Sequence, residues 1–365
     1  MKKLKIKTST PYYIHFDVDL LKDINTILAK FKISSIVLIS DDKLTKSSND
    51  IINSLQHNYK ISSINLKVSE EIKNMDSANF VMNEILKTKI DKNTILIALG
   101  GGVIGDLVGF CASILLRGIG YIHIPSTLLA MVDSSIGGKC GVNTIHGKNL
   151  IGSVYQPLCV LMDYNLLNGL NNNDYLSGYG EVIKYALAFD IKFFKYLDSN
   201  IDKLHGKNKD YLANIIEKSC KFKKSIVEKD EFEKKSIRVL LNLGHSFAHA
   251  IETYNNYNQN ILHGEAVALG CILAFKFSHF IGLYKGDIPY LEKFINHIKK
   301  AHLPISLKNI IINIEVSKLV EYMINDKKNT HQQINLILPI KFGKCGFIKN
   351  VDKNKITQFL TKELT

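Results

Sequence analysis

The chain has 365 residues and contains no tryptophan, no pair of cysteines in CxxC spacing, no long basic run and no apolar stretch of membrane-spanning length. Each absence excludes something. Without a long apolar run there is no transmembrane helix to expect. The basic start MKKLKIKTST is not followed by the apolar segment of a secretory signal, so a cytoplasmic protein that stays off membranes is expected. The cysteines (Cys111, Cys140, Cys159, Cys220, Cys271 and Cys345) are scattered, which excludes a disulfide framework and fits free thiols in a reducing compartment. The net charge is +13, but the lysines are spread over the whole length. The densest clusters are Lys221-Phe222-Lys223-Lys224 and Lys299-Lys300, and neither sits in a recognition motif. Basic charge alone is sequence-independent evidence, so no nucleic-acid partner is expected. There is no internal repeat and no low-complexity linker.

What is present is a change of pattern along the chain. Apolar runs at Ile36–Ile39, Ile61–Val68, Thr94–Leu99 and Tyr121–Ile124 read as strands, and they alternate with helical stretches through Ile51–Leu55, Asn79–Leu86 and Val103–Leu116. Alternating strand and helix predicts a mostly parallel sheet with flanking helices. From about Asp174 nearly everything reads as helix: 175–198, 211–227, 239–254, 264–281 and 288–302, with a late strand candidate at Ile334–Leu338. The predicted architecture is an α/β, Rossmann-like domain over 1–170 and an all-α, metal-binding domain over 171–365.

Three segments carry chemistry. The stretch Ser126–Asn149, STLLAMVDSSIGGKCGVNTIHGKN, mixes glycines with Asp133, Lys139, Lys148 and Asn149. The lysines offer point charges to a phosphate or carboxylate, and such a mixture suits an anionic, hydroxylated small molecule better than core packing. In ILIALGGGVIGD, three glycines close a strand and open a helix, a place where peptide N–H groups attract phosphate. The spacing is not GxGxxG, so an ordinary strand-to-helix turn fits as well, and Asp106 reads as a surface charge or a ribose partner. Glu181 in SGYGEVIKYAL, His245 and His249 in LNLGHSFAHAIE, and His263 in LHGEAVALG supply one carboxylate and several imidazoles. Such a set holds a catalytic Zn²⁺ with open positions, although a histidine beside small apolar residues also serves for packing or capping.

Together, GGGVIGDLVGF, PSTLLAMVDSSIGGKCGVN, GKNLIGSVYQP, GYGEVIKYAL, LNLGHSFAHAIE and LHGEAVALG resemble the 3-dehydroquinate synthase family, most clearly over about 94–273. The resemblance implies a dehydroquinate synthase-like fold and an enzyme that uses NAD⁺ with Zn²⁺ or Co²⁺. The reaction implied takes 3-deoxy-D-arabino-heptulosonate 7-phosphate to 3-dehydroquinate and phosphate by transient oxidation, elimination, reduction, ring opening and aldol closure. It implies Glu181, His245 and His263 as metal ligands. His249, Asp133, Lys184 and Lys139 are implied as catalytic residues. Arg117, Asp133, Lys139, Lys148, Asn149, Lys184, Lys223, Arg238, Asn242 and His249 are implied as substrate contacts. The cofactor side would comprise Asp41, Glu70, Lys73, Gly101, Gly102, Val103, Asp106, Ser126 and Thr127, with Lys139 and Lys148. Arg117 matches a residue that reaches the partner subunit's phosphate site, which implies a homodimer. Lys327 or Lys328 in NDKKN is implied to close over the substrate. The chain departs from the family at Ser69, where glycine is usual, at Asp41 for asparagine and at Gly169 for threonine. The family's DERE pattern reads Asp230-Glu231-Phe232-Glu233.

Overall fold

The structure, a computed structural model, describes residues 1–255, 261–311, 314–325 and 333–364. Lys327 and Lys328 lie outside the described residues. The chain divides into two compact units, Met1–Leu170 with Lys223–Phe232, and Asn171–Phe222 with Glu233–Thr365. The main division falls after residue 170, but Lys223, expected in the helical part, belongs to the first unit.

The first unit contains β1 (Lys2–Ile6), β2 (Tyr12–Asp17), β3 (Ser35–Asp41), β4 (Lys60–Leu66), β5 (Ile95–Gly100), β6 (Gly120–Pro125), β7 (Lys139–Thr144), β8 (Gly147–Val154) and β9 (Cys159–Asp163). Seven of these form one sheet in the order β1-β2-β9-β6-β5-β3-β4. All its pairings are parallel except β1 with β2. β7 and β8 form a separate antiparallel hairpin. The helices of this unit are α1 (Ile24–Leu28), α2 (Thr45–Leu55), α3 (Met75–Lys87) and α4 (Gly102–Ile114). β5 is buried at every position, as expected for a central strand covered on both faces, which is why its sequence is an unbroken apolar run. Val37, Ile39, Leu96 and Ala98 pack on one side against Val81 and Ile85 of α3 and Ile104, Leu107 and Val108 of α4.

The sequence pattern pointed to β3–β6 but not to β1, β2, β9 or the hairpin. β1 is a lysine-rich edge strand and β8 is a largely exposed, glycine-containing one, so neither carries a strong apolar signature.

The second unit contains α5 (Asn172–Phe189), α6 (Ile191–Ser199), α7 (Ile201–His205), α8 (Lys209–Val227, up to Phe222 in this unit), α9 (His245–Tyr254), α10 (His263–Phe280), α11 (Pro289–Lys300), α12 (Val316–Ile324) and α13 (Lys353–Leu364). It is not all helix. A hairpin of β10 (Ile334–Lys341) and β11 (Lys344–Val351) is present, of which the sequence pointed only to the first strand. α10 is apolar around most of its circumference, with Val267, Leu269, Ile272, Phe275 and Phe277 all buried, as befits a helix enclosed by others. The single helix expected over 175–198 is two. Asp190 leaves helical geometry (φ −155°) and its carboxylate accepts from the Lys192 and Phe193 N–H groups at 2.8 and 3.2 Å, capping a new helix. Among the described residues, no helix is long and apolar enough to cross a membrane.

Candidate functional site

In the second unit, three helices meet at glycines. A Cβ placed on Gly180 of α5 would lie 2.0 Å from the Gly264 carbonyl oxygen, and one on Gly264 would lie 1.6 Å from the Ser177 carbonyl oxygen. α5 and α10 therefore touch backbone to backbone. Gly244, at φ +79°, caps α9, and a Cβ on Gly270 of α10 would stand 2.2 Å from its carbonyl oxygen. These close approaches bring one atom each of Glu181, His245 and His263 within 4.8 Å of one another.

The cluster has the chemistry of a cation site. Glu181 is fully buried, and neither of its carboxylate oxygens has a well-directed hydrogen bond. The Lys184 ammonium lies against Oε2, while Nε2 of His245 and of His263 stand 3.4 and 3.5 Å from Oε1. A buried carboxylate with two imidazole nitrogens beside it fits a divalent ion. The opposite ring nitrogens are also engaged. His245 Nδ1 lies 3.2 Å from the Leu243 carbonyl oxygen, and His263 Nδ1 lies 3.3 Å from Glu252 Oε1. Nδ1–H donation to these oxygens leaves each Nε2 lone pair for a metal. Burial penalises the Glu181 charge, but Lys184 and the imidazoles outweigh it and hold the carboxyl well below the usual range. Burial also lowers His245, to about 4. Against the same burial, Glu252 and then Glu181 hold His263 up to about 10. His249 shares the helix face of His245, with ring centroids 5.5 Å apart, and lies 6.5 Å from that of His263. Arg238, buried, and Asn242 occupy the short turn that leads into α9.

In the first unit, the turn after β5 gives α4 a glycine N-cap, Gly101, with no side-chain cap, which leaves first-turn N–H groups for a ligand. The cradle is narrow. A Cβ on Gly101 would meet Thr127 Cγ2 at 3.1 Å, and one on Gly102 would meet Ser134 Oγ at 3.0 Å. The Ser126 N–H donates to the Gly100 carbonyl at 3.0 Å and ties the following loop beneath the turn. Asp41 ends β3, where its carboxylate accepts from the Lys43 N–H at 3.1 Å. Buried Lys73 donates to Asp106 Oδ2 at 2.6 Å, and Asp106 and Glu70 keep its ammonium charged against the desolvation. Asp133 lies in a π-helical turn, and Lys223 donates to its Oδ1 at 2.8 Å and its carbonyl at 2.6 Å. Lys139, Lys148 and Asn149 sit on the β7–β8 hairpin. Exposed Arg117, at φ +64°, follows Leu116 at +47° in a left-handed turn.

One pairing differs from the expected division of labour. Asn149, expected on the substrate side, accepts at Oδ1 from cofactor-side Lys73 at 2.6 Å. Two residues, Glu252 and Asn143, carry no assignment from the sequence. Glu252 orients His263, and its only sequence signal is its place seven residues after His245, on the same helix face. Asn143 binds Glu70 and Asn149 from inside the GGKCGVN run. Glu231 accepts from the Ser9 N–H and hydroxyl at 2.7 and 2.8 Å and from Gln156 Nε2 at 2.8 Å. Ser69 is extended (φ −145°), so the glycine usual there is not required.

A parallel sheet with a glycine-lined turn, joined in one chain to a helical unit with a Glu-His-His set, defines the dehydroquinate synthase-like fold class. The same fold appears in the solved structure of 2-deoxy-scyllo-inosose synthase complexed with carbaglucose-6-phosphate, NAD⁺ and Co²⁺ (TM-score 0.87, 23% identity, 99% of this chain and 100% of that one). It appears also in 2-epi-5-epi-valiolone synthase from Streptomyces hygroscopicus with NAD⁺ and Zn²⁺ bound (TM-score 0.87, 22% identity, 99% of each chain). Residues 63–177 match the family model for the 3-dehydroquinate synthase N-terminal region and 178–329 that for its C-terminal region. A curated 3-dehydroquinate synthase from Ruthia magnifica is 37% identical over 364 residues, spanning 100% of this chain and 99% of that protein. The chain belongs to the 3-dehydroquinate synthase family.

Proposed function

We propose that the chain converts 3-deoxy-D-arabino-heptulosonate 7-phosphate to 3-dehydroquinate and phosphate, with NAD⁺ and a divalent metal, Zn²⁺ or Co²⁺, as cofactors. The observation that carries the reading is the buried Glu181 carboxylate facing His245 and His263, with Glu252 behind His263. When bound, NAD⁺ supplies reversible hydride transfer and the metal supplies Lewis acidity at neighbouring substrate oxygens.

The protein's own residues divide the remaining work. Glu181, His245 and His263 hold the metal. Lys184, fixed against Glu181, offers its ammonium to a substrate oxygen, and His249 moves a proton or contacts the substrate. Arg238 and Asn242 add a cation and an amide. In the first unit, Gly101, Gly102, Val103, Ser126 and Thr127 receive the pyrophosphate and nearby groups through backbone and hydroxyl donors. Asp41, Glu70, Lys73 and Asp106 line the rest of the cofactor path. Asp133, oriented by Lys223, binds a reacting hydroxyl. Lys139, Lys148 and Asn149 take anionic and hydroxyl groups, and Lys139 and Lys148 also serve the cofactor. The substrate's own phosphate can accept the proton removed before elimination, so a separate strong base is unnecessary.

The protein acts as a homodimer in this reading, with Arg117 reaching the partner's phosphate site. Ile145, Leu150 and Ile151, exposed on the β7–β8 hairpin, supply an apolar surface for such a contact. A cytoplasmic setting fits the thiols. Of the six cysteines, all but Cys345 are buried. Burial pushes Cys111 up to about 12 and Cys140 to about 11, so neither is a reactive thiolate.

The test is phosphate release from the heptulosonate phosphate by the full chain, with and without NAD⁺ and Zn²⁺. Release that requires both, with no net NADH, is expected. Stoichiometric NADH would favour a polyol dehydrogenase instead. Turnover of a sugar phosphate that lacks the carboxylate in its place would favour a related cyclase.

A further inference from the structure

In the first unit, the Asn143 side chain bridges the turn that carries Glu70 and Lys73 and the hairpin that carries Lys148 and Asn149. Asn143, in β7, donates from its backbone N–H to the Lys73 carbonyl at 2.6 Å, and Asn74 and Asn143 form a parallel bridge. Its Nδ2 donates to Glu70 Oε1 at 2.7 Å, and its Oδ1 accepts from the Asn149 N–H at 3.0 Å. Lys73 closes the ring from the other side, donating to Asn149 Oδ1 and to Asp106 Oδ2, each at 2.6 Å. Asn149 stands at φ +55°, in the left-handed region that asparagine tolerates better than other non-glycine residues. The bonds to Asn143 and Lys73 fix its N–H and its side-chain amide in that conformation.

We propose that Asn143 is a positioning residue that couples the two ligand groups, Glu70, Lys73 and Asp106 on the nucleotide side and Asn149 on the substrate side, with Lys148, which serves both, beside it. The inference rests on the functional reading above. A ligand that engages Glu70 or Lys73 fixes one end of the ring, and Asn143 transmits that order to the left-handed turn at Asn149. A ligand then arriving at Lys148 and Asn149 meets a hairpin already arranged, and by linkage the effect is reciprocal. The asparagine amide is specific to this task. Aspartate keeps the acceptor for Asn149 but loses the donor and sets a carboxylate against Glu70, whereas alanine loses both ends. The backbone bond to Lys73 and the β7–β8 pairing survive either change, so the hairpin persists.

The experiment is calorimetric binding of NAD⁺ to the Zn²⁺-loaded full chain, alone and with a saturating phosphonate isostere of the heptulosonate phosphate, whose C–P bond does not eliminate. In the unsubstituted protein the isostere is expected to tighten NAD⁺ about tenfold. In Asn143→Ala the tightening falls below about twofold, while affinity for NAD⁺ alone changes less than the coupling does. A purely structural role would weaken both ligands and lower the melting temperature without changing their ratio. A wild-type coupling ratio in Asn143→Ala overturns the inference, as does an unsubstituted protein that binds both ligands independently. If Asn143→Ala does not fold, the same ratio measured on Asn143→Asp decides. Failure of NAD⁺ to bind the unsubstituted protein sinks the functional reading, a result distinct from intact binding without coupling.

Discussion

Residue by residue, the proposed metal cluster combines one carboxylate that would ligate and another that orients. Glu181 is enclosed with Lys184 and two imidazoles, and Glu252 accepts from His263 on the far side of the ring. In the absence of a cation, His263 carries a proton near neutral pH because Glu252 and Glu181 hold its pKa up to about 10. A metal at Nε2 displaces that proton. Zn²⁺ binding at pH 7 is therefore expected to release about one proton and to weaken as pH falls. Calorimetry in buffers of different protonation enthalpy measures this, and zero release would contradict the arrangement. Glu252→Gln keeps the shape but loses the anionic acceptor, and is expected to weaken Zn²⁺ by about 10- to 100-fold with the fold retained. Equilibrium dialysis beside a thermal melt separates those effects. The candidate ligands were readable from the sequence because Glu and His in these motifs are rare company. Glu252 was not, because a glutamate at the end of an amphipathic helix looks like any surface charge until the fold turns it inward.

At the scale of elements, the metal cluster depends on how closely α5, α9 and α10 approach. Gly264→Ala places a methyl group 1.6 Å from the Ser177 carbonyl oxygen, a contact that cannot be relieved by a side-chain rotation. The helices must part. A loss of about 1–3 kcal/mol is expected, together with weakened Zn²⁺ binding. Urea unfolding and dialysis check the two together, and unchanged values for both would mean that the crossing is not held at Gly264. Helix periodicity gave each of these helices its approximate position, since apolar spacing is local. Helix ends followed other rules. Asp190 splits what reads as one helix because its carboxylate caps the second, and periodicity does not register a cap. The segment of hairpin β7–β8 reads in the sequence as a candidate ligand loop from its lysines and glycines, and its strand character comes from pairing, not from propensity.

For the molecule as a whole, one contribution to acid stability lies in the second unit. His297, fully buried, lies with Nε2 3.0 Å from the Tyr179 hydroxyl and Nδ1 3.2 Å from Asp198 Oδ1, linking α5, α6 and α11. The hydrogen bond to His297 is the first cause of a lowered Asp198 pKa, outweighing the opposing effect of burial. A depressed carboxyl stabilises the fold above its unfolded value, near 3.8, and that contribution is lost as pH falls through the lower folded value. Asp198→Asn should therefore be less stable than the unsubstituted chain at pH 7, with the gap closing in strong acid. Urea midpoints at pH 7 and pH 3 measure it, and a gap that is constant with pH would assign the effect to packing instead.

The sequence alone determined the class of the protein. Strand–helix alternation followed by helix, the glycine turn, and the Glu and His motifs are local patterns, and each is legible within a few turns or strands. Only the tertiary structure decided which of these residues work together. The Glu181–His245–His263 cluster spans segments far apart in the chain and exists because glycines let three helices touch. Glu252 behind His263, Asn143 between Glu70 and Asn149, and Lys223 on Asp133 are likewise contacts between different elements. Such contacts depend on backbone crossings and strand pairings, which no local pattern of residues encodes.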